Sequence, residues 1–190
     1  MDQACAFGNK PVKMIYDGDN LECLEVAIGK PFYYLIVDLG FSGKSTTKIL
    51  QGLQSAYPFP EDERQKNVHA LFGKFNLRIT EEAITALRQG DALKLGQLMN
   101  TAQAEFDLYA KPLCPEQLSM PILHSLLDHP SIQPYIFGGK GVGSQGDGTA
   151  QLLCKNEESL TILSDIIKKE FTNMEAIPLT LSPTCKIRKR

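Results

Sequence analysis

Between residues 11 and 28 apolar and polar positions alternate, with Val12, Met14 and Tyr16 on one face and Lys13 and Asp17 on the other. The cluster Asp17-Gly18-Asp19-Asn20 interrupts the pattern, which resumes through Leu24, Val26 and Ile28. Two period-two runs on either side of an Asp-Gly turn predict a β-hairpin. Residues 31–38 (PFYYLIVD) are nearly all apolar and aromatic or β-branched. A run of that kind predicts a strand covered on both faces.

The period then lengthens. Residues 45–54 predict a helix that starts on a Ser/Thr cap and stops at Tyr57-Pro58-Phe59-Pro60. Residues 61–75 are a weaker helical candidate. Thr80-Glu81-Glu82 reads as a helix start, its acidic residues complementing the dipole, and Gly90 as the end of that helix. Asp91 caps a long amphipathic helix whose stripe is Leu95, Leu98, Met99, Ala102, Phe106 and Tyr109. A further helix is expected over residues 115–127, between Pro115 and Pro130.

The last third alternates strand and helix. Residues 131–137 predict a strand running into a glycine segment, 138–148, and residues 149–154 a strand or short helical turn. Residues 156–171 hold Leu160, Leu163, Ile167 and Phe171 in helical register. Residues 174–181 predict a strand whose Pro178 confines it to a sheet edge. Strands first, helices in the middle and a closing β-α-β unit predict an α+β domain, a mixed, mainly antiparallel sheet covered by helices.

Composition narrows the class. A chain of 190 residues, 43% of them hydrophobic, suits one domain or part of a two-domain protein with an ordinary core. Its 20 basic and 22 acidic residues leave a net charge of −2, so nothing favours nucleic acid or a membrane surface as partner. The longest apolar run, 32–37, is far short of the roughly 18–20 residues of a membrane span. The first ten residues lack a cationic start followed by an apolar stretch, so no secretory signal is expected there. Cys5, Cys23, Cys114, Cys154 and Cys185 are an odd, dispersed set without a C-x-x-C pair. Free thiols in a reducing, cytoplasmic compartment follow. His124 and His129 are five apart, not the spacing of a zinc helix, and no metal-ligating set is expected. The basic end, 185–190 (CKIRKR), reads as a solvated tail.

Three segments are candidates for chemistry. Residues 40–46 (GFSGKST) follow a strand and precede a helix, the context of a P-loop. The spacing fails, because Asp38 stands where the first glycine is required. A strand-to-helix loop with capping Ser and Thr is the expectation. Residues 138–148 contain Gly138, Gly139, Gly141, Gly143, Gly146 and Gly148. Such a backbone can approach a ligand closely and turn successive N–H groups toward an anion. Lys140 adds a positive charge there, Ser144 and Gln145 neutral donors. The plain alternative is a connecting loop without a ligand. The third segment, Met1-Asp2-Gln3, acquires meaning only beside the others.

Taken together, these stretches resemble the galactokinase, homoserine kinase, mevalonate kinase and phosphomevalonate kinase superfamily, the GHMP kinases. Met1-Asp2-Gln3 with Ala6-Phe7-Gly8 is similar to the segment carrying the catalytic aspartate in the sugar and mevalonate branches. Residues 32–40 with Lys44, Ser45 and Thr46 resemble the strand and polar loop that come next. Leu87-Arg88-Gln89-Gly90-Asp91 and Leu95-Gly96-Gln97-Leu98-Met99 resemble the family's helical pair. Residues 138–148 resemble its glycine-rich third motif, with Gln145 and Asp147 where small residues are usual. The family's main nucleotide loop lies upstream of the MDQ segment, and no such run occurs in this sequence. The likeness is to the C-terminal part of a kinase of the sugar branch, with Met1 as an internal methionine.

The resemblance implies transfer of the γ-phosphoryl of ATP, with Mg²⁺, to a hydroxyl of a small metabolite such as a sugar. Asp2 would orient or accept the hydroxyl proton. Phosphate or substrate would meet Gly138, Gly139, Lys140, Gly141, Gly143, Ser144, Gln145, Gly146 and Gly148, with Lys44 as a further neighbour of phosphate. The Asp147 side chain would point away from phosphate, or the loop would serve the sugar. Residues 1–30 would close an N-terminal kinase domain and residues 31–185 form the GHMP C-terminal domain. An N-terminal kinase half is then an expected partner, and the chain by itself is expected to have little activity. The alternative is a non-catalytic module, derived from a kinase half, that binds a small molecule or a partner.

Overall fold

The computed structural model describes residues 11–40 and 44–183. The Asp-Gly cluster reverses the chain as expected: β1 (Val12–Asp17) pairs antiparallel with β2 (Asn20–Glu25), with Asp17 opposite Asn20. This hairpin is a two-stranded sheet of its own. Its alternation does not produce a buried face, since Ile15, Tyr16, Leu21 and Leu24 are all exposed.

The main sheet has four strands, β3 (Phe32–Asp38), β4 (Ile136–Gly141), β5 (Thr149–Cys154) and β6 (Glu175–Leu181). Their order is β4-β5-β3-β6 and every neighbouring pair is antiparallel. Pro178 therefore sits on an edge strand, where a missing N–H is tolerated. Six α-helices complete the described chain: α1 (Thr46–Gln54), α2 (Glu63–Ala70), α3 (Asn76–Gln89), α4 (Ala92–Tyr109), α5 (Pro121–Leu127) and α6 (Glu157–Glu170).

Both faces of β3 are covered. On one, Leu35, Val37 and Leu152 pack with Leu123 and Leu126 of α5 and with Leu163 and Ile167 of α6. On the other, Phe32 and Leu153 pack with Ala86 of α3 and with Leu95 and Met99 of α4. Apart from Ala86, each such side chain taken fully out of water contributes roughly 1.5–3 kcal/mol. Polar caps set the helix starts. Ser45, Asp91 and Asn156 each accept a backbone N–H three residues on, and Gly90 ends α3 in the left-handed region.

Three expectations need correction. Helix α3 starts at Asn76, not Thr80, following a kink at Gly73 whose φ/ψ are not helical. Nothing from Asn76 to Ile79 breaks a helix, so the Thr-Glu-Glu sequence lies inside it. Its carboxylates serve tertiary pairs instead: Glu81 meets Lys13, and Glu82 lies 2.9 Å from Lys94. The helix expected over 115–127 forms only as α5, from Pro121, behind Met120 at φ +49°. An interior proline loses a helical hydrogen bond and clashes with the preceding turn, whereas at the first position it costs nothing. Finally, the strand expected at 131–137 is displaced. Gln133–Tyr135 is a 3-10 turn containing Pro134, and β4 runs into the glycine segment as far as Gly141.

Candidate functional site

The site is organised by one face of α4. Gly96, Asn100, Gln103 and Asp107 recur every three or four residues along it, and this stripe meets β4. The backbones come so close that a Cβ on Gly96 would stand 2.5 Å from Phe137, and one on Gly138 2.6 Å from the carbonyl carbon of Gly96. Glycine at both positions permits that approach. Asn100 Oδ1 accepts the Gly139 N–H at 2.9 Å, and Gln103 Oε1 accepts the Gly141 N–H at 2.8 Å. Gln103 is buried and donates from Nε2 to Asp107 at 3.0 Å; the other Asp107 oxygen lies 3.4 Å from His124 Nε2.

The glycine segment is thus two structures. Gly138, Gly139, Lys140 and Gly141 are strand, and the amides of Gly139 and Gly141 already have acceptors. Gly143, Ser144, Gln145, Gly146 and Gly148 belong to the loop beyond it. Gly143, Gln145 and Asp147 all have positive φ, +64°, +59° and +57°. For the two non-glycine residues this stores about 1 kcal/mol or more each. Asp147 is 1% exposed and turns inward, accepting the Leu123 N–H at 2.9 Å in the first turn of α5.

The tip of the loop rests on the other glycine- and serine-bearing segment. Ser144 Oγ lies 3.1 Å from Thr46 Oγ1, and a Cβ on Gly146 would stand 2.6 Å from Ile49 and 3.1 Å from Lys44. Lys44 itself donates to the Glu116 carbonyl and lies 3.3 Å from Ser119 Oγ. Lys44 and Thr46 therefore meet the 138–148 segment, far away in sequence. Ser45 caps α1, as expected of a strand-to-helix loop.

Lys140 lines two cavities. One, of about 330 Å³, lies under the hairpin and is mostly apolar, with Pro11, Val12, Tyr34, Leu87 and Met99 in its wall. Burial pushes the Tyr34 hydroxyl up to about 12. The other, of about 230 Å³, lies between Phe72, Phe106, Glu105, Gly143 and Gln145. Lys140 Nζ donates to the Gly141 carbonyl at 2.6 Å, and burial holds its ammonium below the usual lysine range. A third cavity, about 330 Å³, lies across α4 beside Asp107, His124 and Gln133. Cys23, Cys114 and Cys154 are free, and burial pushes the Cys154 thiol up to about 12.

Asp2 lies outside the described residues, as do Phe41, Ser42, Gly43, Cys5 and Cys185. Among the described residues no group of three His, Cys, Asp or Glu side chains could hold a metal ion, and no helix is long and apolar enough to cross a membrane. Asn100, Gln103 and Glu105 were not singled out from sequence. For Asn100 and Gln103 the signal was legible as polar residues at helical spacing with Gly96 and Asp107; Glu105, on another face of the helix, carried no such signal.

No protein-family model and no curated protein sequence matches the chain. Solved structures do. The chain is similar to L. major mevalonate kinase in complex with R-mevalonate, at 20% identity and a TM-score of 0.63, over 91% of this chain and 49% of that one. It is similar to Lactococcus lactis galactokinase complexed with galactose, at 16% identity and TM-score 0.58, over 94% of this chain and 52% of that one. Streptococcus pneumoniae phosphomevalonate kinase in complex with phosphomevalonate and AMPPNP matches at 13% identity and TM-score 0.60, over 84% and 43%. The chain spans about half the length of these kinases. It shares the fold of about half of each of these kinases.

Proposed function

We propose that this chain is the glycine-loop part of a kinase that transfers the γ-phosphoryl of ATP to a hydroxyl of a small metabolite, a sugar by its likeness to the sugar branch. The reading is carried by one observation: the tip of the glycine loop, the 44–46 segment and the Lys140 cavities adjoin within a fold shared with kinases of this group. Residues 1–30 belong in this reading to an N-terminal kinase domain and 31–185 to the C-terminal one. Full turnover then needs the other half of the kinase.

The residues fit the phosphates of ATP in one half of the glycine segment. A Cβ on Gly143 would meet nothing within 4 Å, so a ligand can approach the main chain there, with the Ser144 hydroxyl beside it. Gly139 and Gly141, whose amides bind Asn100 and Gln103, act as scaffold. Mg²⁺ is assigned no ligands among the described residues. Phosphoryl transfer depends on positioning and charge neutralisation more than on covalent chemistry. Asp2 accepts the proton of the attacking hydroxyl, a role for an ionised carboxylate within hydrogen-bond reach. Lys140 and Lys44 supply positive charge near the phosphates.

The non-catalytic alternative is favoured by the engaged amides of Gly139 and Gly141, which leave fewer donors for an anion. Calorimetry and ADP release on the same protein separate the two, with galactose, mevalonate and phosphomevalonate as the panel. Metabolite binding strengthened by ATP, with little ADP release by the chain alone, is the expected result. Robust ADP release that falls about 100-fold or more in Asp2→Asn would instead show a complete site in this chain. Metabolite binding indifferent to ATP, with no ADP release, selects the module. Binding of neither nucleotide nor any metabolite overturns both.

A further inference from the structure

Lys140 carries a charge that its surroundings do not answer. Its ammonium donates to the Gly141 carbonyl, one residue along its own strand, and among the described residues no carboxylate is in ion-pair reach. Glu105, in the wall of the smaller cavity beside it, is taken by Arg78 at 2.8 Å. Burial holds the ammonium below the usual lysine range, the mark of a cation short of both solvent and counter-charge. Charges out of water are ordinarily paired, so this one calls for an anion that the described residues do not supply.

The cavity under the hairpin gives that anion a place. Lys140 on β4 stands opposite Gln151 on β5, and Gln151 opposite Ile36 on β3, two residues from Tyr34. Opposite and alternate residues share a sheet face, so Lys140, Gln151 and Tyr34 form a row across three strands, and all three line the cavity. Neither the Tyr34 hydroxyl nor the Gln151 amide has a partner among the described residues, and neither is sealed from water. Each member of the row can donate a hydrogen bond. No Asp or Glu lines the cavity; Lys13 in its wall is paired with Glu81, and Asn76 and Thr80 are its other polar residues. The rest of the wall is apolar and includes Val12, Ile79, Ala83, Leu87, Leu98 and Met99.

We propose that this cavity binds a small amphipathic carboxylate, its head on Lys140, Gln151 and Tyr34 and its apolar body against α3 and α4. One ammonium answers one negative charge. A neutral ligand leaves the ammonium unpaired, and a phosphate dianion brings a second charge that nothing in the apolar wall neutralises. A volume of about 330 Å³, roughly eleven waters at about 30 Å³ each, admits an acid of about eight carbons. The site goes beyond the proposed function, which needs no such ligand. Both readings draw on the Lys140 charge, so nucleotide is left out of the experiment.

Titration calorimetry on the full chain at about pH 8, where octyl phosphate is a dianion, compares octanoate with acetate, 1-octanol and octyl phosphate. Octanoate should bind about ten-fold or more tightly than each of the other three. Lys140→Met, which keeps the length and removes the charge, should bring octanoate down to the level of 1-octanol. Tyr34→Phe should weaken octanoate about five-fold, and Ala83→Leu, which fills part of the apolar wall, about ten-fold or more. Thermal melts by circular dichroism identify a variant that has not folded. Should all three fail to fold, the order of the four probes on the unaltered chain decides alone. No octanoate binding, or equal or tighter binding of octyl phosphate or 1-octanol, overturns the proposal, as does octanoate affinity untouched in every folded variant. Acetate binding as tightly as octanoate overturns it too, since the apolar wall would then have no part. None of these outcomes depends on phosphoryl transfer, so the proposed function stands or falls separately.

Discussion

Residues 138–141 and 143–148 are comparably rich in glycine, yet the first group lies in β4 under α4 and the second forms a loop over α1 and α5. In the strand, at Gly138, glycine is required because a side chain would occupy the space taken by the helix backbone. In the loop, at Gly143, it is required by a positive φ in open surroundings. The strand half has also spent two of its donors on Asn100 and Gln103. A glycine-rich sequence therefore reflects backbone conformation at Gly143 and close helix packing at Gly138. In the loop half, an added carbon at Gly143 or Gly148 would meet no atom within 4 Å.

The contrast can be broken most decisively at Gly138. Gly138→Ala should lower stability by about 3 kcal/mol in urea unfolding, because its Cβ meets backbone that can move only by lifting α4 off the sheet. A loss below about 1 kcal/mol would mean that close packing is not what demands glycine there. Gln103→Leu comes next. Leaving the Gly141 N–H buried and unpaired should cost about 2 kcal/mol, with the melting temperature falling accordingly, and a neutral result would show that the amide finds another acceptor. The loop half should respond least. Gly143→Ala should cost about 1 kcal/mol through its left-handed backbone alone. Gly148→Ala, with no atom within 4 Å of the added carbon, should stay within about 0.5 kcal/mol by the same measurement. A Gly148 effect as large as that at Gly143 would deny the distinction between space and conformation.

Much of the fold could be read from local pattern. The hairpin followed from alternation about an Asp-Gly turn, β3 from a run covered on both faces, and α6 from Leu160, Leu163 and Ile167 in register behind Asn156. Failures arose where a local signal had two outlets. Glu81 and Glu82 suit a helix start, but they are equally suited to pairing with Lys13 and Lys94 inside α3. Pro121, overlooked inside a run that otherwise reads as helical, moved the start of α5.

The candidate site was less legible. Its glycines and Lys140 were evident from composition, but their division into strand and loop depended on α4. Glu105 and Gln145 share a cavity although forty positions separate them. Sequence alone determined most of the strands and helices, though not all of their bounds, because periodicity and caps act over a few residues. It also determined where glycine is dense. Tertiary structure decided which of those glycines yield to a neighbouring helix, and which polar atoms are left without partners, because both depend on elements brought into contact only by the packed core.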